Sequence, residues 1–365
     1  MPKGKLTKEL KYLKIFHEIR EEILNGKLPP GTHLLGFREL MVHYAASYST
    51  VARTLAELEQ HGLITRRQGR GIFVAPKPSW RIGETESNFV GLIVTDMNIP
   101  FFNRIIHTVE NEVTALRYHL VVRNTEFDSQ RERQIVQEFI AQRFQGILLV
   151  PTFDEQDSDF LQGVDGKVIP IVYVNRHKWS YECSYVAPDD YTGATAVMEH
   201  LFEMGHREVG YFAGEKIVGR DLRFKAFEDC LRLRGLEVNR EWILYAPWFE
   251  MESGYECMSR LLQLRKRPTA VFCYSDAMAA GAMRACQEQG LRVPEDISLV
   301  GCNDDEVCRV MRPNLTTLAN PIEQISSQVV RILFDSMKSP PGERGPLQLK
   351  MPMRLVQRQS VMNRT

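Results

Sequence analysis

The 365-residue sequence has no apolar run near the ~20 residues a membrane-spanning helix needs, so no membrane partner is expected. It has no C-x-x-C pair and no Cys/His cluster at zinc spacing, and its seven cysteines are an odd number. Most of them (Cys230, Cys257, Cys273, Cys286, Cys302) lie in apolar helix-like or strand-like patterns, which predicts reduced, packed thiols rather than a disulfide framework. No G-x-G-x-x-G follows a strand-like run and no H-E-x-x-H occurs. The run "GEKIVGR" (214–220) lacks the Lys-Ser/Thr that completes a phosphate loop, and His200 and His206 have no partner spacing. No catalytic residue, metal or cofactor is therefore expected. The opening "MPKGKLTKELKYLKIFHEIREEILNGK" has no apolar signal-peptide core, which predicts a cytoplasmic protein.

A net charge is also missing, but the balance is uneven. Of 46 Lys+Arg and 46 Asp+Glu, residues 1–75 hold 12 and 7, leaving 34 and 39 for the rest. A basic head on an acidic body points to a head that meets a polyanion. At this length two or three domains are expected.

In the head, Leu10, Leu13, Phe16, Ile19 and Ile23 recur at spacings of three and four, which predicts one amphipathic helix from Thr7 to Asn25. "LPPG" (28–31) ends it. A second helix is predicted over 37–45 and a third from Tyr48 to His61, capped by Ser47, burying Val51, Leu55 and Leu58 and closed by Gly62. "GLITRRQGRGIFV" (62–74) then reads as two strands around a cationic tip. Helix, short turn, helix and basic hairpin form a winged helix-turn-helix, whose third helix can enter the major groove of DNA. Tyr48, Ser49, Thr50 and Arg53 would lie nearest the base edges, and Arg67, Gln68, Gly69 and Arg70 would form the wing tip against a sugar–phosphate wall.

"NGKLPPGTHL", "RELMVHYAASYSTVARTLAELEQHGLI" and "RRQGRGIFV" resemble the DNA-binding domain of the GntR family of bacterial regulators. The resemblance implies contact with double-stranded operator DNA by Arg38, Ser47, Thr50, Gln68 and Gly69. This sequence departs from the family pattern in three places. The usual "LPSERELA" is "LLGFRELM", the arginine after the capping serine is Tyr48, and the arginine after the valine is Ala52. Arg53 would cover part of that loss of charge.

Residues 76–88, "PKPSWRIGETESN", are polar, carry two prolines and have no period, which reads as a linker. If flexible, it would span roughly 20 Å r.m.s. and about 43 Å at full stretch, more than the about 34–36 Å between half-sites one turn of DNA apart. Beyond it, strand-like runs at 89–95, 119–124, 146–151, 169–175, 209–214, 270–275 and 297–303 alternate with amphipathic segments. This predicts an α/β body with two parallel sheets covered on both faces and a ligand at the carboxyl ends of the strands. Those ends carry "TDMNIPFF", "VNR", "PDDY", "YSDAM" and "GCNDDE", a mixture of rings, carboxylates and amides suited to a polyhydroxylated ligand.

"GLIVTDMNIPFFNRII", "HLFEMGHREVGYFAG", "AVFCYSDAMAAGAMRACQEQGLRVPEDISLVGCND", "RPNLTTLANPIEQI" and "RLVQRQSV" resemble the effector domain of the LacI/GalR regulators, over residues 89–361. The resemblance implies the two-lobed fold of periplasmic sugar-binding proteins, a homodimer formed through this domain, and a small-molecule effector of sugar type. Carried onto this sequence, the pocket would take Phe101, Phe102, Asn175, Arg176, Asp190, Arg223, Trp248, Ser275, Asp276 and Asn303. The family's "ND" before a helix is Ser275-Asp276, and its "G-F/Y-D-D" is Gly301-Cys302-Asn303-Asp304, so the ligand-facing aspartate becomes a neutral amide. The domains implied are a DNA-binding head (1–75), a linker (76–88) and an effector-binding and dimerisation body (89–365). The function implied is that of a repressor of carbohydrate-utilisation genes. A regulator answering to a nucleobase or nucleoside is the alternative. A secreted solute-binding receptor would need an export signal and would have no use for a basic head.

Overall fold

A computed structural model describes residues 12, 15, 16, 18–67, 71–76, 88–154, 158–165, 168–177, 180–217, 219–338 and 345–365. The chain divides into two compact units, residues 1–87 and 88–365.

The first unit opens on α1 (residues 18–24), with residues 12, 15 and 16 also helical. Phe16, Ile19 and Ile23 are buried as their spacing predicts, whereas Leu10 and Leu13 lie outside the described residues. Pro29 to Gly31 turn the chain, and Gly31 donates its amide to the Val74 carbonyl, docking the turn on the hairpin. α2 (Phe37–His43) stops two residues short of the expected end because Ala45 takes a left-handed φ of 45° and swings the chain into the turn. α3 (Tyr48–Gln60) buries Val51, Leu55 and Leu58 and ends at Gly62, whose φ of 64° glycine adopts without a Cβ clash. β1 (Ile64–Arg67) and β2 (Gly71–Val74) pair antiparallel, with Ile64 opposite Val74. The wing tip, 68–70, and most of the linker, 77–87, lie outside the described residues.

The second unit holds two six-stranded sheets. Its strands are β3 (Phe89–Val94), β4 (His119–Asn124), β5 (Gly146–Leu149), β6 (Ile171–Val174), β7 (Ser184–Pro188), β8 (Val209–Gly214), β9 (Ile243–Ala246), β10 (Ala270–Cys273), β11 (Ser298–Asn303), β12 (Thr316–Ala319), β13 (Gln348–Met351) and β14 (Arg354–Val356). One lobe has the order β13-β7-β6-β5-β3-β4, and the other β14-β12-β11-β10-β8-β9. Every pairing is parallel except that of β14 with β12. β5, β6 and β10 are buried at all four positions, as strands covered on both faces must be.

In the first lobe the covering helices are α4 (Pro100–Ala115), α5 (Ser129–Ala141), α6 (Ser158–Val164) and α12 (Ile322–Met337). In the second they are α7 (Asp190–Glu203), α8 (Leu222–Leu233), α9 (Met251–Leu262), α10 (Asp276–Glu288) and the short α11 (Val307–Val310). α9 and α10 cross through two glycines. A Cβ on Gly254 would meet the Met278 carbonyl at 1.9 Å, and one on Gly281 would meet the Met251 carbonyl at 1.8 Å.

The chain passes between the lobes three times, from β7 to α7, from β12 to α12 and from β13 to β14. The strand-like runs given above do not include β7, β9, β12, β13 or β14. They are three to five residues long, and β13 and β14 are edge strands that alternate between exposed and half-buried positions, so they leave no continuous apolar run.

Candidate DNA interface and effector cleft

Ser47 caps α3. Its hydroxyl accepts from the Thr50 amide at 3.4 Å and lies 2.8 Å from Thr50 Oγ1 and 3.0 Å from Ser49 Oγ. Thr50 is only 5% exposed, so its hydroxyl serves the cap. Arg38, Ser47, Tyr48, Ser49 and Arg53 are exposed. The Arg53 guanidinium lies 4.0 Å over the Tyr12 ring, and Arg67 lies 5.2 Å over Phe73 at the root of the wing. Gln68, Gly69 and Arg70 fall outside the described residues. The sequence reading omitted Phe37, which stacks on Tyr48, and Arg66, which bonds Glu59 at 3.0 Å.

In the second unit a cleft of about 960 Å³ opens between the carboxyl ends of the two sheets. Of the ten expected effector residues, eight line it: Phe101, Phe102, Asn175, Arg176, Arg223, Trp248, Ser275 and Asn303. Phe101 and Phe102 start α4 and meet edge to face at 5.2 Å. Arg223 donates from Nε to Asp190 Oδ1 at 2.8 Å and from Nη1 to the Tyr274 carbonyl at 2.8 Å, with its plane 4.2 Å over the Tyr274 ring. The Ser275 hydroxyl is committed, donating to the Phe249 carbonyl at 2.5 Å and capping α10.

Arg176 is different. Its Nε donates to the Pro151 carbonyl at 2.7 Å, its Nη2 to Thr95 Oγ1 at 3.2 Å, and it lies 4.0 Å over Phe153. No carboxylate among the described residues forms an ion pair with it, and burial pushes its pKa down to about 10. A desolvated cation in that position gains from an acceptor supplied by a ligand.

Two expected residues do not line the cleft. Asp190 stands behind Arg223 and holds it. Asp276 is fully buried, accepting from Thr317 Oγ1 at 2.5 Å and from the Asp305 amide at 2.8 Å. Its carboxylate is occupied by the fold.

Conversely, the cleft includes Asp96, Asn124, Phe153, Tyr274, Asn320 and Asp305, which the sequence reading did not select. Asp305 Oδ1 is buried with no hydrogen-bond partner among the described residues. Burial, then the neighbouring Asp276, raise its pKa to about 7, against the pull of Arg104. Across the mouth, Phe127 of the first lobe meets Trp248 of the second at 5.0 Å, Phe153 meets Phe249 at 5.8 Å, and Arg220 donates to the Phe153 carbonyl at 2.7 Å. No helix among the described residues is long and apolar enough to cross a membrane.

A winged-helix unit and a two-lobed ligand cleft on one chain define a ligand-responsive transcription regulator. Comparison with known proteins agrees with both halves. The signature described as bacterial regulatory proteins of the gntR family matches residues 11–74, and that of the periplasmic binding protein-like domain matches residues 198–361. The HTH-type transcriptional repressor PurR of Haemophilus influenzae (strain PittEE) is 36% identical over 262 residues, which cover 70% of this chain and 75% of that protein. The arabinose metabolism transcriptional repressor of Geobacillus stearothermophilus is 29% identical over 336 residues, 90% of this chain and 91% of that protein. A solved structure of a putative ribose operon repressor from Burkholderia thailandensis superposes with a TM-score of 0.65 at 30% identity, over 74% of this chain and 99% of that one. The chain belongs to the LacI-type family of transcriptional repressors, with a GntR-type DNA-binding unit at its N-terminal end.

Proposed function

We propose that this repressor is controlled by a neutral, polyhydroxylated small molecule of sugar size held between the two lobes. Residues 1–75 bind the operator, 76–88 connect, and 89–365 bind the effector and form a homodimer. The observation that carries the reading is the pairing of an aromatic wall, Phe101, Phe102 and Trp248, with several side-chain amides and a guanidinium, Arg176, that has no ion pair among the described residues. Sugar C–H faces pack on rings while their hydroxyls supply acceptors to Arg176 and donors to Asp305. The volume suits a mono- or disaccharide. The Geobacillus relative, whose name concerns arabinose metabolism, supports a sugar and spans both units. A nucleobase or nucleoside is the second reading, favoured by Trp248, whose partly exposed ring offers a planar heterocycle a stacking surface.

Thermal denaturation with L-arabinose, D-ribose, cellobiose, guanine and hypoxanthine separates the two readings. A specific ligand raises the melting temperature as its concentration passes Kd. A shift with a sugar and none with a base is expected, and the reverse result would overturn the sugar reading. Loss of the sugar-induced shift in Arg176→Met, with DNA binding intact, assigns the cleft.

A further inference from the structure

Tyr48 is the first residue of α3, directly after its Ser47 cap, and is 63% exposed. Its ring is not loose. It stacks on Phe37, the first residue of α2, with centroids 5.1 Å apart and planes inclined by 23°. Phe37 in turn has the Arg66 guanidinium 5.7 Å from its centroid, and Arg66 is tied to Glu59 at 3.0 Å. The stack holds one face of the tyrosine and leaves the remainder outward. Around it, Ser47 and Ser49 turn their hydroxyls on each other at 3.0 Å, and Thr50 is buried. The first cation along α3 is Arg53, more than a turn later and stacked on Tyr12. The end of this helix that leads into a major groove therefore presents a fixed apolar ring and no charge.

In the major groove only one base offers an apolar feature, the C5-methyl of thymine, while guanine offers two acceptors that suit arginine. We infer that Tyr48 is a specificity-determining residue that packs its ring on the methyl group of a thymine facing the start of α3. The inference rests on α3 being the recognition helix. An apolar contact releases no counterions, so it alters sequence preference without altering the salt dependence of binding.

The probe is a duplex selected in vitro by the full-length protein from a random-sequence library. Each thymine of the selected sequence is replaced singly by deoxyuridine, which removes only the methyl. Binding is expected to weaken by about fourfold at a particular thymine, roughly the worth of one buried methyl-sized group. Tyr48→Phe, which keeps the ring and its packing on Phe37, should retain that sensitivity, and Tyr48→Ala should lose it. Selection with Tyr48→Arg should move the preference there from thymine to guanine. Equal deoxyuridine sensitivity in wild type and Tyr48→Ala, or no sensitive thymine, would overturn the assignment and leave the ring as packing for Phe37 or as a backbone contact. A selection that enriches no sequence would overturn the recognition-helix reading itself.

Discussion

The Asp305 amide donates to Asp276 Oδ2 at 2.8 Å, so a carboxylate buried at the start of α10 holds the loop that follows β11. Oδ1 of the same carboxylate takes the Thr317 hydroxyl at 2.5 Å, which ties in β12. From the other side Arg358 donates to Asp304 Oδ1 at 2.5 Å. Asn303, the last residue of β11, and Asp305 of that loop line the cleft. Asp276→Ala would strand the Thr317 hydroxyl and the Asp305 amide, remove the acceptor of the Cys308 thiol, and should cost about 2–4 kcal/mol, lowering the melting temperature by roughly 5–12 °C. Asp276→Asn should lose far less, because the Thr317 hydroxyl can reverse and accept from the new amide while the amide oxygen still takes Asp305 N–H. Differential scanning calorimetry of the two variants checks this, and equal losses would show that charge rather than acceptor count matters here.

Asp305 carries the opposite logic. Its pKa is raised to about 7 from an ordinary carboxylate value, chiefly by burial. The unfolded chain gives up this proton near pH 4 and the folded one near pH 7, so stability falls as pH rises between those values and levels off above. Asp305→Asn should remove that slope and be the more stable protein at pH 8, by about 1–3 kcal/mol. The gain should come with a weaker ligand-induced shift, since the carboxylate is costly to the fold and faces the cleft. Melting curves at pH 5 and pH 8 give the sign. A variant no more stable at pH 8 than wild type would show that Oδ1 is well solvated.

How much of this could be read beforehand depended on whether a residue sits inside a repeating pattern. Ser47, Gly62 and the Val51, Leu55, Leu58 stripe follow from helix period and capping chemistry. The fully buried strands β5, β6 and β10 follow from their unbroken apolar runs. Asp305 was not legible. Asn303 and Asp304 take positive φ values of 117° and 57°, the strand alternation is broken, and the chain turns the third residue toward the cleft. The family pattern pointed to Asn303, and nothing in the residue types distinguished Asp305 from its neighbours. The resemblance to the LacI/GalR effector domain places Asp276 in the pocket, but which way its carboxylate faces depends on Thr317, 41 residues away in sequence.

His206 links the C-terminal segment to the second lobe. Nδ1 lies 2.8 Å from Thr269 Oγ1 and Nε2 lies 3.1 Å from the Met362 carbonyl, with the ring fully buried. Burial, with help from Arg364, lowers its pKa from 6.5 to about 4. The unfolded chain therefore binds the proton first. Stability should be independent of this group above about pH 6.5 and fall between there and pH 4, by at most about 3 kcal/mol. His206→Gln should show a shallower fall in melting temperature between pH 7 and pH 5. An unchanged slope would place the acid sensitivity elsewhere.

The cleft mouth gives the last prediction. Phe127 and the preceding Glu126 both have left-handed backbones, with φ of 61° and 55°, a conformation that side-chain-bearing residues rarely adopt. The strain, of order 1 kcal/mol for each residue, persists because the Phe127 ring is held between Phe153, at 6.0 Å in the same lobe, and Trp248, at 5.0 Å in the other. Phe127→Ala removes this cross-cleft contact with Trp248 and leaves the polar groups around Arg176 intact. Such a change should free the lobes to part without altering what the ligand touches. Its signature is kinetic: the dissociation rate of a bound ligand should rise about tenfold while the association rate changes little. Stopped-flow measurement with whichever probe stabilises the wild type reads both rates. If dissociation is unchanged, the Phe153–Phe249 contact and the Arg220 bond to the Phe153 carbonyl hold the mouth without Phe127, and Arg220→Ala then becomes the variant to measure.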